Sequence, residues 1–588
     1  MADTSIALAP SVANASGAAT VTASAALFTT ADVGRLVSIL HRAGTQRAAA
    51  TAYSVGQIFF AEYNQVPRLY RVVGAGTTQA ANLAGTTPDY DLNAPNETGL
   101  HILDGTAVLR YLGPGRHVWG FARITGYTSS TQVSVSIDPR GVFANTYASL
   151  RWRMGEFSNA RGWPIAGTFH KGRLWLGGTD TKPQSLWASQ VSDFENFGPT
   201  EIDGSVLDTN AIALSLDDDQ VNRVRWMLSA PRGLAVGVAS GEFMVGPANR
   251  NAAMAPANVQ ADRQGDRGSD ATATPQRTSG VILFPQRGGQ RLRQLDYDFG
   301  ADRFTTADLT ALADDIADGG FLETAYGDVP EGYWYGLRAD GRVAVLTFDP
   351  EQRLRAWTVD ELGGDGVVES IACIPDPAGT GTDLYLSVAR TVDEVTTRTI
   401  EVIRSPFRGD LDDQADGYFV DCGLTYDSAT EANTIAGLDH LDGYSVAICA
   451  DGSQRQDQTV AGGSVPVTGP AATVVHVGLR YRSTIVDLPP EAAAPPGSTA
   501  QGRLKRVVRA VLRLLDTAAC EVGGKGNRSE VLAFRTLDDL TDTAVPLFTG
   551  DRDVTTFGSW NRDGQLEIGT DAPLPMTVLA IIKQVDSG

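Results

Sequence analysis

Catalysis and metal binding need side chains that converge, and the six histidines of this chain, His41, His101, His117, His170, His440 and His476, are scattered. No two stand four residues apart, the spacing at which a helix turns a pair of imidazoles toward one metal. Each is therefore expected to be structural. Gly237, Val238, Ala239, Ser240, Gly241 sets its serine one position late for a nucleophile elbow, and Gly523, Gly524, Lys525, Gly526 lacks the spacing of a phosphate-binding loop. Both patterns predict turns. The acidic runs Asp217, Asp218, Asp219 and Asp410, Asp412, Asp413, Asp416 hold carboxylates of the kind that hydrolyse glycosides. Sequence neighbours rarely face one another across a sugar, however, and Gln414 and Ala415 break the order of a calcium loop that also lacks its closing Glu. Solvated turns are the plainer reading. Arg408, Gly409, Asp410 spells an adhesion tripeptide too short to carry meaning. The expectation is no catalytic residue, no cofactor and no metal.

A different kind of site is offered by the one local reversal of charge. The 588 residues carry 48 Lys and Arg against 69 Asp and Glu, a formal charge of -21 with a pI near 4.7. A nucleic-acid clamp needs the opposite sign, a cationic surface that displaces counterions from phosphates. Within this acidic chain Arg503, Lys505, Arg509 and Arg513 fall on one face if their segment is a strand. Such a stripe suits the carboxylates of an adjoining subunit or domain. A solvated strand edge, charged against aggregation, explains it equally well. Lysines are few (Lys171, Lys182, Lys505, Lys525 and Lys583), a bias that GC-rich coding accounts for first.

These groups must be positioned by β-structure. Gly and Pro number 63 and 28, and short alternating runs of Val, Thr, Ile and aromatic residues fill the gaps between them, which predicts a turn-rich, all-β chain with few helices. A chain of this length exceeds one core and divides into three or four domains of about 150 residues. Ala18 to Ala23 and Leu36 to Leu40 read as strands, and Trp119 to Gly126 with Gln132 to Ile137 give a later alternating pair broken by a polar turn. One helix is predicted where Thr305 and Asp308 precede Leu309, Leu312, Ala313 and Ile316, with Gly319 and Gly320 to stop it. Asn251 to Gly280 has no periodicity and predicts a long exposed loop or interface arm, and Asp487 to Gly502, with Pro489, Pro490, Pro495 and Pro496, a loop between strands. Cys373, Cys422, Cys449 and Cys520 lie too far apart for a zinc site or a dense disulfide framework, so free thiols are expected. The start, Met1, Ala2, Asp3, Thr4, lacks a basic leader, and no apolar run approaches the roughly 18 residues of a membrane span. A chain made and kept soluble in a cytoplasm is expected.

Several segments carry a family resemblance. Gly162, Trp163, Pro164, then Phe169, Gly172, Arg173, Leu174, Trp175, Leu176, Gly177, Gly178, Thr179, then Pro183 to Ser189, and Asp193, Phe194, Glu195, Asn196, Phe197 together resemble the signature of the tail nozzle proteins (tail tubular protein B type) of short-tailed bacteriophages. Phe419 to Tyr426, Gly437 to Val446, Val477 to Tyr481 and Pro573 to Ile581 resemble the C-terminal β region of the same family. The paired segments around residues 18–40 and 119–137 resemble the small β module likened to the FCCH domain of ubiquitin-activating enzymes, a likeness of fold and not of chemistry. The stretch between them resembles a carbohydrate-binding module of the 5/12 type, which makes Tyr53, Tyr63, Tyr70 and Tyr90 conceivable platforms for sugar rings, with core packing the alternative.

The resemblance implies a central β-propeller-like domain flanked by small β-sandwich or β-barrel modules. A weak recurrence of turn, apolar strand, turn and apolar strand at Gly172 to Trp187, Arg232 to Met244, Gly341 to Trp357 and Thr382 to Ile403 permits it. The expected domains are 1–50 plus 113–149, the insertion 51–112, the propeller-like 150–406, and 407–588. The implied function is a structural virion protein without enzymatic activity: a hexameric ring at the tail tip, joined to the adaptor or head-to-tail connector, supporting fibres or spikes, through which genomic DNA passes without specific binding. The rival expectation is a glycan-binding tailspike or adhesin, or a depolymerase.

Overall fold

The computed structural model describes residues 5–587 except 43, 64–65, 81–100, 115–116, 202–204, 219–221, 250, 279, 301, 393, 405–406, 410–411, 492–498, 500–501, 541–542 and 556–559. The chain divides into two compact units, Met1–Ser269 and Asp270–Gly588. Both are built from strands, and among the described residues the only helical elements are 3-10 turns of three or four residues. The fold class is all-β, with a central run of propeller-like sheets.

The first unit opens with a six-stranded sheet in the order Leu8–Pro10, Gly17–Ala23, Gln132–Ile137, His117–Ser129, Leu36–Arg42, Trp152–Met154. Strands from opposite sides of residues 43–116 therefore pair directly, Arg42 opposite His117 and Val21 opposite Val133. Val21, Val37, Ile39, Ala122, Ile124, Val133 and Phe143 form their common core. Between those halves lies a five-stranded sheet, Thr45–Gln46, Ile58–Tyr63, Val66–Gly74, Ala107–Pro114 and His101–Asp104, over Phe59, Tyr70, Val72, Leu109 and Tyr111. It reaches beyond 51–112 on both sides, because Thr45 pairs with Phe59, Arg47 is tied to Asp104, and Pro114 pairs with Arg68. That pair is buried and bidentate, Nε to Oδ2 at 2.5 Å and Nη2 to Oδ1 at 2.7 Å, and Arg47 also donates to the Gln79 carbonyl. Removing either partner would strand a buried charge, at about 3–5 kcal/mol.

Two four-stranded antiparallel meanders complete this unit: Ala166–His170, Arg173–Gly177, Ser185–Ala188, Ile212–Ser215, then Val224–Ala230, Gly233–Val238, Gly241–Pro247, Val259–Gly265. Each runs in chain order, as propeller blades do. The first hairpin needs two left-handed residues, and Lys171 and Gly172 supply φ of 49° and 72°. Trp175, Leu186, Ile212, Leu234, Val236, Phe243 and Val245 fill the space between the two sheets. The fourth strand of the second meander, Val259–Gly265, corrects the expectation of a loop over Asn251 to Gly280, which also contains Gln276–Thr278. Val259–Gly265 pairs on one side only, with Gly241–Pro247, so none of its residues is fully buried and its sequence is polar.

The second unit continues the pattern with Gln276–Thr278, Val281–Pro285, Leu292–Asp298, Arg303–Asp308, then Phe321–Gly327, Tyr333–Arg338, Val343–Asp349, Leu354–Asp360, then the three strands Val367–Pro375, Thr382–Val392, Val395–Ile403. Leu283, Phe321, Trp334 and Leu346 lie between the first two of these sheets, and Leu337, Val345, Ile371 and Leu386 between the last two. The helix expected from Thr305 is absent. Residues 303–308 are a strand paired with Leu292–Asp298, and only Asp314–Ala317 turns helically. Leu309 and Ile316 still reach the core, while Leu312, 103% exposed, does not.

The remainder of this unit forms further antiparallel sheets. Asp421–Ala432, Ala472–Leu479, Ser445–Ala450 and Ser453–Gln454 cover one core, and Ser483–Val486, Leu566–Thr570, Glu521–Gly524 and Glu530–Val531 face the three-stranded sheet Phe548–Val554, Lys505–Thr517, Thr577–Ser587 over another. Most of the Pro/Ala segment 487–502 lies outside the described residues.

Candidate functional site

The basic stripe sits on Lys505–Thr517, the middle strand of that last sheet. Its even spacing does not put four cations on one face, because the register slips between Val507 and Arg509. A bulge of one residue exchanges the two faces of a strand. Lys505, 2% exposed, therefore points inward with Val507, its Nζ donating to the Arg562 carbonyl, whereas beyond the bulge Ala510, Leu512 and Leu514 point inward and Arg509 and Arg513 outward. Arg503 precedes the strand.

The two outward arginines have partners within the sheet. Arg509 Nε donates to both carboxylate oxygens of Asp553 at 2.8 and 2.9 Å, and Arg513 donates to Asp551 through Nε at 2.8 Å and Nη2 at 3.1 Å. Hydrogen bonds from these guanidiniums hold both carboxyls below the usual range. The expected carboxylates of an adjoining subunit or domain are thus replaced by those of the neighbouring strand Phe548–Val554. What remains is a self-neutralised face that also exposes Leu515 and Ile582.

The proposed aromatic platforms resolve differently. Tyr70 is 1% exposed, packed between Phe59 and Tyr111, and burial pushes its phenol pKa up. Tyr53 lies 4.7 Å from Phe59, ring to ring, and its hydroxyl accepts from the Ala48 amide. Both serve the core of the inserted sheet and offer no platform. Tyr63 ends the strand Ile58–Tyr63, its side chain outside the description, and Tyr90 lies outside the described residues.

Of the acidic runs, Asp219 and Asp410 lie outside the described residues, and Asp218, Asp412 and Asp413 hold turns. Asp218, its side chain 1% exposed, accepts from Asn222 Nδ2 at 3.1 Å, Ser240 Oγ at 3.1 Å and Arg263 Nη1 at 2.7 Å. Ser240 thus sits in a hairpin turn with its hydroxyl spent on a carboxylate. Asp412 accepts from the Arg408 amide and Asp413 from the Ala415 amide. No trio of metal-ligating side chains occurs among the described residues, and the four cysteines are free. Burial pushes the imidazoles of His117 and His170 down to about 4, and lowers those of His41 and His476.

Two constellations had no local signal in the sequence. Arg173, 1% exposed, donates to the carbonyls of Ser189, Asp208 and Asn210 at 2.6–2.7 Å, fastening the excursion 189–210 to the first meander. In the second unit, Arg390 pairs with Glu401 and donates to the Gly363 carbonyl at 2.9 Å, while the Gly363 amide donates to Asp421 at 2.7 Å. Asp360 lies beside Asp421. Burial, reinforced by that neighbouring charge, pushes Asp360 up to about 6, and burial pushes Asp421 up to about 6 against the Gly363 hydrogen bond. The bonded partners stand 11, 27 and 58 positions apart, and the fold assembles them into one cluster.

No protein-family model and no curated protein matches the chain. Among solved structures, human WBSCR16 aligns with a TM-score of 0.26 and 14% identity, over 44% of this chain and 72% of that one. A putative 6-phosphogluconolactonase from Bacteroides uniformis aligns at 0.25 and 12%, over 63% and 100% respectively. The Pan2 WD40 domain of Neurospora crassa aligns at 0.24 and 11%, over 41% and 62%. Likenesses this slight transfer neither fold nor function.

Proposed function

We propose that the chain is a structural virion protein, the tail nozzle subunit of a short-tailed bacteriophage, and not an enzyme. It would form a ring of six copies at the tail tip, joined to an adaptor above and to fibres or spikes around it, and pass genomic DNA through its centre.

The observation that carries this reading is the segment Gly162–Phe197, where the family resemblance is concentrated. Five of its residues, Gly162, Gly172, Arg173, Trp175 and Gly178, are ones the first meander needs, while Trp163, Phe169 and Phe194 are exposed. A Cβ on Gly162 would stand 2.7 Å from the Asp180 amide, Gly172 and Gly178 have φ of 72° and 68°, Arg173 is the buried fastener, and Trp175 fills the core. Shared residues with structural duties of this kind support a shared architecture. The charge of -21 suits a conduit to which DNA does not adhere, although screening over about 8 Å leaves only wall residues to act on the duplex. Asp218, Asp412 and Asp413, from the acidic runs that prompted a depolymerase reading, are spent on turns and an ion pair. Native mass measurement tests the proposal: a species six times the 62.2 kDa chain is expected, alone or with its adaptor. A strict monomer that releases oligosaccharides from host polysaccharide would overturn it.

A further inference from the structure

In the first unit a cavity of about 550 Å³ opens beside the start of strand His117–Ser129 and the turn Pro139–Gly141. Trp119, Arg140, Asn14, Asn145 and Thr45 line it together with apolar Val142. Its volume falls within the roughly 300–1,000 Å³ range of small-molecule sites.

The walls are fixed before any ligand arrives. The Asn14 amide donates to the Phe143 carbonyl at 2.8 Å, and Gly120 lies so close that a Cβ there would be 2.6 Å from the Phe143 ring. Asn145 spends its amide nitrogen on the carbonyls of Arg42 at 3.1 Å and Gly44 at 2.5 Å, which orients its Oδ1 as an acceptor. Arg153 lies over Trp119 with its guanidinium 4.4 Å from the ring centre, so one face of the indole is taken and the ring is held in place. Preorganisation of this kind lowers the entropy cost of binding.

The chemistry of the lining selects among ligands. Arg140 is its single charged side chain and is already matched by Asp138 and Glu195, with Nε to Oδ1 at 3.1 Å and Nη1 to Oε2 at 3.2 Å. An anionic ligand gains little there, and a phosphate would also meet a chain of net charge -21. An indole, small apolar side chains and amide or hydroxyl groups fit a ring with C–H faces and hydroxyl edges. We propose that this cavity is a binding site for a neutral saccharide. The proposal stands independently of the nozzle reading and places glycan contact at Trp119 and Asn145, outside the tyrosines of the inserted sheet.

Ligand-observed saturation-transfer NMR on the full chain with maltotriose, cellotriose and chitotriose at millimolar concentration tests it. Transfer to at least one trisaccharide is expected. It should weaken about tenfold in Trp119→Ala and in Ala144→Trp, which fills the cavity from a neighbouring lining position. Ala144→Trp keeps the test meaningful if loss of the indole disturbs folding, and unchanged far-UV spectra identify the folded variants. Absence of transfer from all three sugars, transfer undiminished in folded Ala144→Trp, or preferential displacement by trigalacturonate would each overturn the proposal.

Discussion

Replacing Asp360 by Asn should stabilise the protein at alkaline pH and leave it unchanged in acid. A carboxyl whose pKa is higher in the folded chain than in the unfolded one contributes stability below its unfolded value, here 3.8, and loses it as pH rises through the folded value, here about 6. The shift of roughly two units corresponds to ~3 kcal/mol at most, and the half-buried position of Asp360 admits enough solvent to lower this to about 1–3 kcal/mol. Asp421 rises for a similar reason, so the two titrate as a pair and the substitution relieves both positions. Because Asn resembles the protonated acid, thermal midpoints of parent and Asp360→Asn should coincide near pH 3, below the unfolded value, and separate by a few degrees in favour of the variant at pH 8. Glu242, pushed up to about 7 by burial, titrates in both proteins and cancels in the comparison. A variant no more stable than the parent at pH 8, or a difference independent of pH, would refute the reasoning.

Other perturbations test other links. Arg173→Met should cost ~2–4 kcal/mol by stranding buried carbonyls, and limited proteolysis should then cut within 189–210 first; an unchanged midpoint would mean that the fastener is idle. Arg509→Glu with Arg513→Glu should lower the thermal midpoint more at low salt than at high salt, and adding Asp551→Arg with Asp553→Arg should recover it. A quadruple variant no better than the double one would show that the cross-strand pairs contribute nothing. Joining Arg42 to His117 by a short Gly/Ser linker in place of the inserted sheet should leave a soluble, folded chain, since those residues already pair, whereas aggregation would show that the insertion supports the sheet it interrupts.

The legible parts of the sequence were those with local periodicity. Strands at 17–23, 117–129 and 132–137 alternate over much of their length because one face is buried, whereas 36–42 ends in four buried residues, and the turn, strand, turn, strand recurrences coincide with paired strands at 173–188, 233–247, 343–360 and 382–403. Gln276–Asp308 escaped that recurrence. The spacing of Leu309, Leu312, Ala313 and Ile316 imitated a helix, but pairing of 303–308 with a neighbouring strand satisfied the backbone first. The basic stripe failed on one bulged residue, a defect invisible in composition. Arg390, Glu401, Asp360 and Asp421, like the walls around Trp119, come together only through the fold, and no spacing rule reaches them.

The central claim is that this chain builds a ring around a DNA channel, and an image tests it most directly. Electron microscopy of the purified protein, or of virions carrying it, should show a six-fold ring with a central hole at the tail tip. Monomeric particles, or a three-fold spike without a channel, would contradict it.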